Sequence, residues 1–165
     1  MILGFSVPAF TLLHVVISLV GIGAGIVALL GMANGDRLES WTALFLLTTA
    51  LTSITGFFFH SVSFGPPHVF GVATLVVMVP VLLGRYVFGL RGWWRLIYVA
   101  GAVFVLYLNA VVGVIQFFQK FSFLRALAPT QSEPPFLISQ VVVLAFVVVF
   151  GIVAAIRFRP ATEFA

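Results

Sequence analysis

Cysteine is absent from the 165-residue chain. That excludes disulfides, thiolate metal ligands, thiol nucleophiles and haem attachment through a C-x-x-C-H segment. Charge is nearly as scarce, at 7% of residues against about 25% in an ordinary soluble domain. Apolar residues make up 62% of the chain. A soluble chain of this length buries only about 70% of its unfolded surface, so such a composition would leave large apolar patches in water. Lipid is therefore the expected solvent. The net charge of +4, from eight basic and four acidic residues, is spread too thinly to neutralise many phosphates, so nucleic acid is not an expected partner. The apolar content excludes a disordered tail.

Several chemical signatures are also missing. The chain has no Gly-rich phosphate loop, no nucleophile elbow, no H-E-x-x-H and no soluble segment large enough to hold a cosubstrate. No carboxylate falls inside an apolar run: Asp36, Glu39 and Glu133 lie in loops and Glu163 in the tail. A proton-coupled transporter or pump needs carboxylates at depth, and general acid–base catalysis needs a pair of such groups. An enzyme is not expected.

What is present is five long apolar runs, at 8–33, 41–64, 68–87, 96–118 and 136–156. A helix needs about 20 such residues to cross a hydrocarbon core about 30 Å thick. Turn residues separate them, such as Asn34-Gly35-Asp36-Arg37 and Gly65-Pro66-Pro67. The first run has no Lys or Arg before it and outruns a signal-peptide core, so it reads as a retained span. No internal repeat is visible. The expected fold is all-α: one polytopic integral membrane domain over 1–165, a bundle of about five transmembrane helices.

Five spans would put Arg37, Arg85, Arg91, Arg95, Arg157 and Arg159 on one side and Lys120 and Arg125 on the other. Six against two predicts the N-terminus outside and the C-terminus in the cytoplasm of a cell (inner or plasma) membrane. Trp41, Trp93, Trp94, Tyr86 and Tyr98 fall at the same, cytoplasmic interface. Those six arginines with Asp36, Glu39 and Glu163 make nine of the twelve charges.

Only the connection 119–135 has room for structure of its own. Phe117, Phe121, Leu124 and Ala128 share one helical stripe, which predicts a short helix in the outer interface. Ser132 reads as the N-cap of the fifth helix, with Glu133 in its first turn. Lys120, Arg125 and Glu133 border this loop, beside Gln116, Gln119 and Gln140, as a solvated surface or as contacts for a headgroup or partner.

The topology gathers His14, His60 and His68 at the outer leaflet. Imidazole is the commonest metal ligand, so one reading is haem b or a transition metal such as copper or zinc held by these three. The other is that they satisfy helix ends and headgroup water. Thr48, Thr52 and Thr55 line one face of the second helix, beside Thr49, Ser53 and Gly56. They pack against neighbouring helices or line a groove for quinone or lipid. Tyr107 and Asn109 lie near the middle of the fourth helix, and the Asn109 amide needs a partner, expected on the threonine face. Gly21 and Gly25 form a G-x-x-x-G pair for packing within the chain or for self-association through helix one. Three functions follow in order: an accessory, assembly or interaction subunit of a membrane complex; a small redox or metal-handling protein; a lipid or quinone binder.

Overall fold

The computed structural model describes residues 1–2, 4–59 and 65–159. The fold is all-α: 82% of the described residues are helical and no strand occurs among them. The helices are α1 (Val7–Asn34), α2 (Glu39–Gly56), α3 (Pro66–Leu82), α4 (Trp93–Lys120), α5 (Ser122–Leu127) and α6 (Pro134–Arg157), with a π-turn, Leu83–Val87, closing α3. Four stretches, Val7–Asn34, Pro67–Val87, Trp93–Lys120 and Pro134–Arg157, are long and apolar enough to cross a membrane.

The element signals sit where backbone chemistry requires them. Ser6 caps α1 by accepting from the Ala9 amide, and Pro8 stands in the first turn, where its missing N–H costs nothing. Gly35, at φ 92°, ends α1 in the left-handed conformation; its amide reaches Met32 O and the Asp36 amide reaches Gly31 O.

Three sequence expectations shift. The second span, expected over 41–64, is realised as α2 from Glu39 only to Gly56, 18 residues rich in threonine. Its last part, 60–64, lies outside the described residues. The N-cap of α6 is Glu133, not Ser132, because Pro134 at the first helical position forces the residue before it into extended backbone, φ −76° and ψ 156°. The interfacial stripe from Phe117 is broken: α4 runs on to Lys120, Phe121 is extended, and α5 is six residues long. Leu124 and Ala128 then pack inward against Phe118 and Phe136, while Phe117 and Phe121 stack on each other at the surface, 5.4 Å between centroids.

The Glu133 carboxylate folds back over the loop, accepting from the Thr130 hydroxyl and amide and from the Ser132 amide. Desolvation pushes its pKa up, and these hydrogen bonds together outweigh it, holding the carboxyl below its ordinary value.

Successive long helices run antiparallel. His14 meets Thr55 and Gly31 meets Leu38, so α1 and α2 form a hairpin. Phe57 against His68 and Arg85 against Glu39 pair α2 with α3. Gly84 faces Trp94 across the α3–α4 turn, and Arg95 reaches Ala155 O and Phe158 O at the end of α6. The bundle therefore has an arginine end and a histidine end. Small residues let α1 run against α2 and α4: Gly25 packs on Leu106 and Phe45, and Ala24, Ala28, Leu29 and Met32 continue that buried core. In lipid such close packing supplies dispersion where no hydrophobic drive exists between helices. By contrast, only 11% of the apolar window of α6 is buried.

At the arginine end the π-turn carries Arg85 inward. Its side chain is 3% exposed and bonds the Tyr98 hydroxyl and the Glu39 carboxylate, which also lies 3.9 Å from Arg37. Sequence pattern counted Arg85 only among the charges at the end of the third span; the missed signal for its burial is Tyr98, a phenol one turn inside α4.

Candidate functional site, a polar pocket at the histidine end

Four helices contribute one polar face each to a common seam. On α1, His14, Ser18 and Gly21 follow at helical spacing. On α2 the row is Thr49, Thr52, Ser53 and Gly56; α3 adds His68, Gly71 and Thr74, and α4 adds Asn109. Most of these line a single cavity of about 100 Å³, with Phe57, Phe70, Leu108 and Val112 as its apolar walls. Two of the three histidines of the sequence reading thus share one pocket; His60 lies outside the described residues.

At the mouth, the Thr55 hydroxyl hydrogen goes to a backbone carbonyl of its own helix, Leu51 O at 2.7 Å or Thr52 O at 3.2 Å. The Thr55 oxygen also lies 2.7 Å from His14 Nδ1, a hydrogen bond whose donor depends on the tautomer of the ring. The tautomer of His68 is set by the backbone. Its Nδ1 accepts from the Gly65 amide at 3.2 Å, closing the first turn of α3, so the proton of its neutral ring is on Nε2. Phe59 stands edge-on to His14 and Phe57 leans on His68.

At depth, Asn109 finds its partner on α1, not on the threonine face: Ser18 donates to Asn109 Oδ1 at 3.0 Å. Its amide nitrogen has no partner, and neither has the hydroxyl of Thr49; the two residues are 8% and 1% exposed. Gly21 makes the room, since a Cβ there would stand 3.0 Å from Thr48 Oγ1 and 3.2 Å from Asn109 Nδ2. Thr48 and Thr52, like Thr55, return their protons to carbonyls four residues back. Tyr107 packs beside the apolar core, away from the pocket.

The next turn toward the arginine end is apolar, with Gly25 seated on Leu106 and Phe45 and with Met78 and Val105 buried alongside. The seam thus ends at mid-bundle as a pocket. Among the described residues no Lys, Arg, Asp or Glu lines it, so the chemistry of this lining is that of uncharged hydrogen-bonding groups.

Of the three histidines suggested for haem or a metal, His14 and His68 share the pocket and His60 lies outside the described residues. Among the described residues no three His, Asp or Glu are placed to hold an ion. The cavity is also far below the 300–1,000 Å³ of sites for drug-sized ligands. Lys120 and Arg125 are exposed on the outer loop and make no ion pair among the described residues. Gly21 and Gly25 face α2 and α4 within the chain.

Sequence reasoning missed Ser18 and Thr74. The signal for Ser18 was available: His14, Ser18 and Gly21 repeat at the spacing of one helical face. Comparison of the chain with protein-family models, with curated proteins and with solved structures gives no match in any of the three.

Proposed function

We propose that this chain is a multi-pass membrane protein that binds the uncharged polar end of a membrane-borne small molecule, a lipid or quinone in class, in the pocket lined by α1, α2, α3 and α4. One observation carries the reading: a cavity of about 100 Å³ lies among the helices, lined by the polar residues His14, Thr49, Thr52, Ser53, His68 and Asn109 beside the apolar Phe57, Phe70 and Val112. The cavity takes about three waters at about 30 Å³ each, or a polar end group whose apolar remainder leaves between the helices.

This reading is preferred to an accessory subunit, because the glycine face of α1 that suggested a docking partner is filled from within the chain. It is preferred to metal or haem handling because no three His, Asp or Glu among the described residues are placed to hold an ion.

The proposed topology has five passes in a cell membrane, N-terminus outside and C-terminus in the cytoplasm. The gathering of Arg37, Arg85, Arg95 and Arg157 at one end of the bundle supports it. So does the run of α2 beside α1, from Leu38 at one end to Thr55 at the other.

The test is mass spectrometry of organic extracts from protein purified in mild detergent. A lipophile should accompany the wild type in a fixed ratio and fall at least about fivefold in Asn109→Leu and in Thr52→Leu, whose new side chains fill the pocket. Equal content in all three proteins overturns the reading.

A further inference from the structure

We propose that the arginine end of the bundle holds the phosphate of an anionic phospholipid, with Arg157 and Arg159 as its ligands. Arg95 Nη1 donates to Ala155 O at 2.7 Å and to Phe158 O at 2.8 Å, which ties the start of α4 to the end of α6 and brings a third positive charge to the same turn. Phe158 is fully buried against Tyr98, and the arginines on either side of it are both exposed. Neither they nor Arg95 pair with a carboxylate among the described residues, because Glu39 is taken by Arg85 and Arg37. Arg157 O stands 3.6 Å from where a Cβ on Gly35 would lie, so Arg37, two residues on, adds its charge nearby. The described residues of this end carry six arginines against Asp36 and Glu39. Like charges gathered so closely repel one another, and a bound anion relieves the repulsion.

The residue type points to phosphate. All six basic residues of this end are arginines, and the chain's one lysine, Lys120, stands at the other end. Topology asks only for positive charge, whereas the guanidinium fork matches the oxygens of a phosphate two at a time. The surroundings point to a lipid. Trp93 is 79% exposed and Trp41 is exposed at the same end, which sets this level of the bundle at headgroup depth. In the two turns before Arg157, α6 exposes Ile152 and Ile156, an apolar surface for the acyl chains of the lipid whose phosphate the arginines take. A zwitterionic lipid would bring its own ammonium into a cluster of arginines, so the site favours a headgroup of net negative charge. The histidine-end pocket plays no part in this site, which stands or falls apart from the ligand-binding reading above.

The test uses the full chain in phosphatidylcholine nanodiscs and its own fluorescence, since all three tryptophans, Trp41, Trp93 and Trp94, stand at this end. Phosphatidylglycerol or phosphatidylcholine with brominated acyl chains is diluted into the bilayer at one fixed fraction, and bromine quenches an indole only in near contact. Phosphatidylglycerol should quench as a lipid bound at least about fivefold tighter, the worth of roughly one arginine at a membrane surface. Arg157→Gln combined with Arg159→Gln should bring the two lipids to parity, while Lys120→Gln combined with Arg125→Gln, at the other end, should leave the ratio unchanged. Arg157→Lys combined with Arg159→Lys keeps the charge without the fork and should retain less than about half of the preference. Equal quenching by the two lipids in the wild type, a comparison that needs no variant, overturns the site. The full preference in the lysine pair, or its loss in the Lys120 and Arg125 pair, overturns recognition at this place in favour of diffuse attraction by the whole charge. Inorganic phosphate added at constant ionic strength should leave the ratio intact; if it abolishes the ratio, the lipid is overturned as the source and the site takes a free anion.

Discussion

The Ser18–Asn109 pair illustrates how a hydrogen bond's two partners differ in worth. Asn109 keeps one satisfied atom, Oδ1, and one orphan, Nδ2. Ser18→Ala therefore leaves the whole amide without a partner, at about 1–3 kcal/mol for a buried group. Asn109→Leu removes both the orphan and the bond, and adds apolar contact in the cavity. We expect Ser18→Ala to be the more destabilising of the two by about 1 kcal/mol in thermal unfolding in detergent, with the reverse order contradicting the assignment of Nδ2 as unpartnered. That Asn109 needs a partner is legible in the sequence, because an amide in hydrocarbon is costly. Which partner it finds is not: Ser18 lies 91 residues away, and the threonine face was the nearer guess. The threonines serve their own helix, a use open to any hydroxyl on a helix and silent in sequence pattern.

Among elements, α1 separates the meanings that one residue type can have. Gly25 sits where an added Cβ would meet Leu106 at 2.6 Å and Phe45 at 2.8 Å, whereas nothing stands within 4 Å of such an atom at Gly23. Gly25→Ala should cost about 1–3 kcal/mol through overpacking; Gly23→Ala should gain up to about 1 kcal/mol from helix propensity alone. Denaturant titration of each variant in detergent checks this pair, and equal effects would remove the case for close α1–α2–α4 contact at Gly25. Spacing marks Gly21 and Gly25 as a packing pair but does not say against what, since a flat face serves a neighbour in the chain as well as a second copy. The loop after α4 shows the converse limit. A stripe of Phe117, Phe121, Leu124 and Ala128 requires continuous helix, and the extended backbone at Phe121 breaks it. The cap of α6 turns on one proline, whose steric demand on Glu133 outranks the intrinsic preference of Ser132.

For the whole molecule, the proposed orientation makes a direct forecast. A reporter active only in the cytoplasm should work when fused after Ala165 and fail when inserted within 119–135, on the opposite side of the bundle. The opposite result would overturn the orientation and move the pocket to the cytoplasmic leaflet. The all-α class, the apolar lengths and the charge asymmetry follow from composition and order along the chain, because lipid admits only backbone that satisfies itself within a segment. The sequence also determined that polar groups in the spans must be few and grouped. Which of them meet was decided only by tertiary packing. Antiparallel helices bring His14 to Thr55, Ser18 to Asn109 and Arg85 to Glu39 by register across the bundle, and helical periodicity fixes a residue's face but not the neighbour that face will touch.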